Sequence, residues 1–153
     1  MNIFILDKDL TTNAQYHCDK HVVKMILEYT QLLSTAHNML GSDRGPYKTT
    51  HQHHPCAVWA RESQANYGYL HSLLIALTDE YTYRYGKVHK CASYIGQLFG
   101  APEGIPFGGT PHALAMPNEY KCDCPIQSYR DYYRNEKSHI GKWKMRDVPD
   151  FMQ

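Results

Sequence analysis

Apolar residues recur at every third or fourth position along most of the chain, a spacing typical of the buried face of an α-helix. The clearest stripe runs from Cys18 to Ala36. It predicts a first helix over residues 13–39, which ends before Gly41 because glycine readily adopts the left-handed conformation found after helices. The same spacing predicts three further helices, over residues 55–85, 88–99 and 126–143. The pattern therefore predicts an all-α fold with about four main helices.

Two stretches interrupt this helical pattern. Residues Asn2–Leu6 are mostly apolar and are compatible with one short buried strand. Residues 100–125 hold five prolines and several glycines, which predicts a long loop of the kind that often serves as a lid or binding loop. The second helix is expected either in one piece or as two halves bent at Gly68. Because no linker divides the chain, we predict a single helical domain over residues 1–153.

The composition favours a globular protein. Of the 153 residues, 42% are hydrophobic and 20% are charged, so a sizeable core can form and a disordered chain is disfavoured. No apolar run approaches the ~18 residues that span a membrane, and the first residues lack the basic start of a secretory leader. We therefore expect a cytoplasmic protein with no membrane partner, whose five cysteines stay reduced.

Histidine and tyrosine are both abundant, with 10 and 13 copies. Histidine titrates near neutral pH, and tyrosine offers a flat ring with a polar tip, so both residue types suit a polar cleft. The net charge is only +1. Total charge therefore gives no indication of a nucleic-acid partner, and such a partner has to be argued from local clusters.

A polar stripe runs along the first predicted helix, beside its apolar face. A base, an amine and a carboxylate in line are the groups that proton transfer needs. Lys24 lies between His21 and Glu28 and is therefore a candidate amine nucleophile. The alternative is a solvated face on which Lys24 and Glu28 form an ordinary ion pair. The members of the stripe, spaced by three or four positions, are His17, His21, Lys24, Glu28, Gln31 and Thr35.

The same stripe raises the question of a metal. His17 and His21 have the spacing of two zinc ligands on one helix face. A zinc peptidase would place glutamate directly after the first histidine, but Cys18 stands there, so the peptidase hypothesis fails. We predict no bound metal and no cofactor. A different site stays open as an alternative, completed by His51, His53, His54 or Cys56.

A second histidine cluster precedes Pro55, which is expected to open the second helix. The N–H groups at a helix N-terminus attract phosphate, so His51 and His54 are candidate phosphate-binding residues, with Arg61 as a bidentate clamp. The alternative is that a histidine only caps the helix. Trp59 is expected in the core, because large aromatic side chains usually pack there.

The last predicted helix is both basic and aromatic. Six cations stand against two acids between positions 129 and 146. Aromatic rings stack on unpaired bases while cations hold the phosphates. The alternative is an amphipathic helix with Tyr129, Tyr133 and Ile140 in the core and a solvated basic face. The residues expected to bind nucleic acid here are Arg130, Tyr132, Arg134, Lys137, Lys142 and Trp143.

Several strings in the chain resemble a known group of proteins. They are AQYHCDKHVVKMILEYTQLLSTAH, THQHHPCAVWARES, the loop at 115–117 and SYRDYYRNEKSHIGKWKMR. They resemble small phage-encoded proteins related to pyrimidine-dimer DNA glycosylases of the endonuclease V type. The resemblance covers nearly the whole chain. It implies a compact helical protein of the host cytoplasm that flips a nucleotide and attacks its sugar with an amine, in DNA repair or base processing.

The chain also departs from that family's pattern. The glycosylases use the amine of a small residue that is exposed when methionine is removed, whereas Asn2 disfavours that removal. Their second catalytic group is a carboxylate on the first helix, and Glu28 matches it in type. The histidines at positions 17, 21 and 54 have no counterpart in the pattern.

The sequence favours a DNA- or nucleotide-directed enzyme acting at the base or the glycosidic bond. Glu28 would polarise the sugar or orient water, and Lys24, ahead of the Met1 amine, would be the nucleophile. His17, His21 and His54 would move protons or hold phosphate. Two alternatives stay open: a non-catalytic protein that sequesters nucleotides or oligonucleotides, and a metal-dependent hydrolase.

Overall fold

A computed structural model describes all residues, 1–153, and it contains no β-strand. The prediction of an all-α fold is confirmed. Short 3₁₀ helices cover Lys90–Tyr94, Asn118–Tyr120, Ser138–Ile140 and Asp150–Met152. The α-helices are α1 (Leu10–Tyr16), α2 (Asp19–Met39), α3 (Pro55–Ala60), α4 (Gln64–Tyr85) and α5 (Pro125–Glu136).

The first predicted helix is divided into α1 and α2. The carboxylate of Asp9 caps α1 by accepting a hydrogen bond from the backbone N–H of Thr12, at 2.9 Å. His17 and Cys18 then adopt extended backbone angles. The hydroxyl of Tyr133 accepts a hydrogen bond from the Cys18 N–H at 3.0 Å, which satisfies a group that a continuous helix would have used.

The second predicted helix is also divided, into α3 and α4. The Ser63 hydroxyl caps α4 by accepting a hydrogen bond from the Asn66 N–H, at 3.1 Å. The break therefore lies at residues 61–63 and the predicted bend at Gly68 is wrong, since Gly68 lies inside α4. A serine that can cap a helix explains the position of the break better than a glycine that a helix interior can tolerate.

Both remaining predicted helices are too long. The stretch 88–99 forms only one short 3₁₀ helix, and α5 ends at Glu136, ahead of the predicted end at 143. The long loop predicted over 100–125 is present, apart from the 3₁₀ turn at 118–120. Its backbone is fixed to the rest of the fold at several points, for example where Gln64 N–H donates to the carbonyl of Pro106 at 2.8 Å.

The short N-terminal strand is wrong as well. Residues Asn2–Leu6 are extended and largely buried, but no second strand lies beside them. The side-chain amide of Asn13 takes the place of that missing partner. It accepts from the Leu6 N–H at 2.8 Å and donates to the Phe4 carbonyl at 3.1 Å, so the segment is hydrogen-bonded without a sheet.

The core forms around α2, which packs mainly against α4 and also against α3. Val22, Ile26 and Leu33 of α2 are fully buried. Trp59 is also in the core, as predicted. None of the helices combines the length and the apolar character that crossing a membrane requires.

A buried ion network fixes the C-terminal tail to the helices. Arg84 is fully buried, with Nε 2.7 Å from Glu80 and Nη1 3.0 Å from Asp19. Arg146 forms a second ion pair with Glu80 at 3.0 Å, and the Lys144 N–H donates to Asp19 at 2.8 Å. These contacts hold residues 142–146 against the ends of α2 and α4, which determines the position of the tail's lysines.

Candidate functional site

A small pocket of about 160 Å³ opens where the N-terminal segment crosses α2 and the end of α5. Its volume is below the roughly 300–1,000 Å³ of most small-molecule sites, so it can hold only a small group such as one sugar or one base. The pocket is lined by Met1, Asn2, Phe4, His21, Lys24, Met25, Glu28, Tyr132 and Lys137.

The central contact of the pocket joins an amine to a carboxylate. The amino group of Met1 lies 3.0 Å from Oε1 of Glu28, whose side chain is only 14% exposed. Oε2 of Glu28 is buried and accepts no hydrogen bond, and the Lys24 ammonium stands 3.8 Å from it. The Lys24 side chain is 67% exposed. The carboxylate therefore binds the α-amine closely and the lysine only loosely. Its second oxygen accepts no hydrogen bond and could accept a proton.

Contacts with distant parts of the chain position the Met1 amine. The Asn2 side chain donates to the Ala115 carbonyl at 2.8 Å. The Ile3 carbonyl lies 2.8 Å from Nε2 of His112, and Nε of Arg130 donates to the Leu6 carbonyl at 2.8 Å. The N-terminal segment is thereby held by the 112–115 loop and by α5, and its first residue is brought over Glu28.

His21 forms one wall of the pocket as a neutral imidazole. Its Nδ1 lies 2.7 Å from the hydroxyl of Tyr133, and its ring stacks on Phe4 at a centroid distance of 4.5 Å. Burial is the main cause that lowers the pKa of His21 to about 3, and nearby positive groups, among them Lys24 and the Met1 amine, lower it further. The ring can therefore donate or accept a hydrogen bond but carries no charge at neutral pH.

The wall supplied by α5 combines a ring with a cation. Nζ of Lys137 lies 5.3 Å from the ring centroid of Tyr132, within the range of a cation–π contact. Of the tail residues predicted to bind nucleic acid, these two are the ones that reach the pocket.

His54 lies beside the pocket without lining it. Its Nδ1 caps α3 by accepting from the Cys56 N–H at 3.1 Å, so the capping alternative is confirmed. Burial lowers the pKa of His54, the charges of the Met1 amine and His51 add to this, and Glu28 opposes it. His51 is exposed and has a left-handed backbone with φ 48°. His51 and His54 are therefore not among the residues that line the pocket with Glu28.

Arg61 ends α3, at the opposite end from the histidine cap. Its Nη2 donates to the carbonyl of Gln52 at 2.6 Å, and its Nη1 is buried without a hydrogen-bond partner. The guanidinium therefore ties the 51–54 loop to the helix. The predicted arrangement of Arg61 as a free phosphate clamp at the N-terminus of α3 is not formed.

The prediction that His17 faces the cleft is wrong. His17 is fully buried, with Nδ1 2.7 Å from the Asn13 carbonyl and Nε2 3.0 Å from the Tyr29 hydroxyl. Burial lowers its pKa to about 4. Both ring nitrogens are engaged inside the core, so the zinc pair with His21 does not form. Nowhere do three or more His, Cys, Asp or Glu side chains gather in a way that could hold a metal ion.

Two further tail residues have structural contacts in place of the predicted surface role. Trp143 is buried, and its indole N–H donates to the Tyr16 carbonyl at 2.9 Å. Arg130 pairs with Asp7 at 3.0 Å in addition to binding Leu6.

The other two tail cations are more exposed. Arg134 pairs with Asp131 at 3.2 Å on the surface of α5. Lys142 lies in a separate groove beside α2.

The sequence ranks the Met1 amine below Lys24, and it gives no indication of Tyr133 as the partner of His21. In the sequence, nothing distinguishes Tyr133 from any other tyrosine on the apolar side of a helix.

Comparisons with protein-family models, with curated proteins and with solved structures find no match to this chain. The resemblance to phage proteins related to endonuclease V-type glycosylases therefore stays a hypothesis.

Proposed function

We propose that this protein is a DNA-directed enzyme that attacks C1′ of a deoxyribose with the α-amine of Met1, as a glycosylase or abasic-site lyase. The observation that carries the proposal is the 3.0 Å contact between that amine and Glu28 inside a small polar pocket. An amine beside a carboxylate is the pair needed for nucleophilic attack with proton transfer.

The geometry favours Met1 over Lys24 as the nucleophile. The Met1 amine is held by Glu28 within the pocket, whereas most of the Lys24 side chain is in solvent. Only the uncharged form of an amine can attack carbon, and the Glu28 carboxylate beside the Met1 amine can accept the proton that must leave first.

The two carboxylate oxygens of Glu28 have different roles in this proposal. Oε1 orients the amine and accepts its proton as the new bond forms. Oε2 is buried and has no hydrogen-bond partner, so it can meet a hydroxyl or a C–H of the sugar once the atoms that cover it have moved. A carboxylate with one oxygen occupied and one free can thus serve successive proton transfers from a fixed position.

At an abasic site the amine adds to the C1′ aldehyde, and the resulting carbinolamine loses water to give an imine. Glu28 then removes a C2′ proton, the C3′–O bond breaks, and the phosphate leaves with the electron pair. Water hydrolyses the imine and restores the amine. On an intact nucleotide the amine bonds to C1′ as the bond to the base breaks, and the departing base takes up a proton.

The size of the pocket supports a substrate that is turned out of a stack. A volume of about 160 Å³ admits one sugar or one base but not a stacked pair. Tyr132 at the pocket edge offers a ring against which a neighbouring base can pack, and Lys137 beside it offers a cation for a phosphate.

The proposal is tested by trapping the imine with borohydride, which reduces it to a stable amine. A DNA strand with one abasic site is incubated with the protein, and the adduct is mapped by peptide mass spectrometry. We expect the adduct on the peptide that contains Met1. Intact mass and N-terminal sequencing of the same sample test whether Met1 carries a free amine, and a blocked or extended N-terminus would contradict the proposal.

Two matched variants separate the candidate amines. Placing one extra residue before Met1 moves the amine away from Glu28 and should abolish the adduct. Lys24→Gln leaves the α-amine in place and should keep the adduct. An adduct mapped to Lys24 would reassign the nucleophile. Absence of any adduct, with DNA still bound, would overturn the enzyme proposal in favour of a sequestering protein.

A further inference from the structure

A second, larger groove lies beside the candidate pocket, between α2 and the segment that follows α5. Its volume is about 630 Å³, four times that of the pocket. It is lined by Asp19, Lys20, Val23, Lys24, Tyr85, His139, Ile140 and Lys142.

The groove carries an excess of free positive charge. Lys20 and Lys142 are exposed, and neither has a carboxylate partner. The one acid of the groove, Asp19, is already engaged by Arg84 at 3.0 Å and by the Lys144 N–H at 2.8 Å. Because the whole chain has a net charge of only +1, the cluster is a local concentration of charge rather than a share of a basic surface.

Between the lysines the groove is apolar. Val23, Tyr85 and Ile140 contribute this part of the lining. The ring of Tyr85 also has the Lys144 ammonium at 5.3 Å from its centroid. Cations alternating with an aromatic ring form a surface suited to a flexible chain with both anionic groups and flat apolar groups.

The groove and the pocket adjoin each other. Lys24 lines both, and the chain from Lys137 to Lys142 passes from the edge of the pocket to the edge of the groove. Lys20 and Lys24 are one helical turn apart on α2 and lie on the same face. A ligand that enters the pocket can therefore extend along this row of lysines without leaving the surface.

We propose that the groove binds the phosphodiester backbone of a nucleic acid strand adjacent to the nucleotide held in the pocket. Lys20 and Lys142 contact phosphates, and Tyr85 packs against a base. The inference rests on the proposed function only for the nucleotide in the pocket. It identifies the substrate as a polymer rather than a free nucleotide. An acidic peptide would pair with the lysines, but its carboxylates would not pack against the aromatic lining.

Salt dependence of binding tests the groove independently of any chemistry. The probe is an undamaged thymidine oligonucleotide, whose affinity is measured by fluorescence anisotropy over a range of salt concentrations. Each phosphate neutralised on a single strand contributes about −0.7 to the slope of log affinity against log salt. The double variant Lys20→Ala/Lys142→Ala should therefore reduce the slope by about 1.4. Tyr85→Leu should weaken binding several-fold with an unchanged slope, and far-UV circular dichroism checks its fold.

The matched control is Lys8→Ala/Lys48→Ala, which also removes two exposed lysines but lines neither cavity. It should leave the slope unchanged. Equal slopes for the two double variants would overturn the groove proposal, as would competition by polyglutamate that matches the oligonucleotide at equal charge. Imine trapping is a separate measurement. If the Lys20→Ala/Lys142→Ala variant reduces the salt slope but no imine is trapped, only the enzyme proposal is contradicted. If an imine is trapped but the two double variants have equal slopes, only the groove proposal is contradicted.

Discussion

The hydroxyl of Tyr133 lies 2.7 Å from Nδ1 of His21 and also accepts a hydrogen bond from the backbone N–H of Cys18. The single hydroxyl proton can be donated to Nδ1 at 2.7 Å or to Sγ of Cys18 at 3.4 Å, and the shorter contact favours Nδ1. A proton donated to Nδ1 requires the tautomer of His21 that carries its hydrogen on Nε2. Tyr133 thus joins the start of α2 to a wall of the candidate pocket and orients the imidazole there.

Tyr133→Phe should therefore affect both stability and chemistry. Nδ1 of His21 and the N–H of Cys18 would be left in a buried setting without a partner, which costs about 1–3 kcal/mol per group. Urea denaturation measures the loss of unfolding free energy, and imine trapping measures the rate. Tyr120→Phe is the control, because it also removes a tyrosine hydroxyl but one bonded to Glu136 at the surface. An unchanged stability of Tyr133→Phe would contradict the assigned hydrogen bonds.

Glu28→Gln tests the carboxylate while keeping its volume. The amide cannot accept the amine's proton, so trapping on abasic DNA should slow by about 10²–10⁴-fold, the usual contribution of a positioned acid–base group. The substitution also removes the charge partner of the buried Met1 amine, so the melting temperature should fall as well, and trapping is compared at a temperature at which both proteins are fully folded. The control is Glu103→Gln on the exposed loop. A Glu28→Gln protein that traps DNA at the normal rate would exclude Glu28 from the reaction.

The buried histidines predict how stability depends on pH. Burial lowers the pKa of His17 to about 4 and that of His21 to about 3, from an ordinary value of 6.5. As the pH falls through about 6.5, these two histidines bind protons in the unfolded chain but stay neutral in the folded protein. The unfolding free energy is therefore greatest above pH 6.5 and falls between about pH 6.5 and 4, by up to about 1.4 kcal/mol per pH unit for each histidine.

Urea denaturation at a series of pH values measures this slope. His17→Gln should flatten it, whereas His53→Gln on the exposed loop should not. If the His17 variant fails to fold, an NMR titration of the wild-type ring answers the same question. Protonation of His17 near its ordinary pKa in the folded protein would contradict the prediction.

Arg84→Met should destabilise the protein strongly. The fully buried guanidinium pairs with Glu80 and Asp19. Its removal leaves Asp19 without a cationic partner and Glu80 with Arg146 alone, and breaking a buried pair costs about 3–5 kcal/mol. Arg134→Met removes a surface pair with Asp131 and should cost less than about 1 kcal/mol. Urea denaturation compares the two, and similar losses would contradict the structural role given to Arg84.

The apolar periodicity was sufficient to predict the helical class, because the stripe on α2 needs only local spacing to be recognised. The helix ends were harder to predict. The break after Tyr16 depends on the hydroxyl of Tyr133, which lies 115 positions from the Cys18 N–H that it binds. No local rule can show that contact, and the residues around the break are otherwise compatible with a helix.

The same break explains which residues of the predicted polar stripe lie together. Residues 21, 24 and 28 lie on α2, share its polar face and meet in the pocket. His17 precedes the start of α2, so the helical spacing no longer relates it to the others, and its ring turns into the core. The position of the Met1 amine could not be predicted, because it depends on Ala115, His112 and Arg130, more than 100 positions from the residues they hold.

The long-range anchoring of the N-terminal segment has a consequence for the time at which the site exists. Met1 leaves the ribosome well before residues 112–130, which hold its segment over α2. At ordinary rates of synthesis this interval is on the order of ten seconds. During that interval the amine and Glu28 are both outside the ribosome but have no contacts to bring them together. Under the proposed function, the nascent chain would therefore be inert toward a sugar until the second half of the protein has been made.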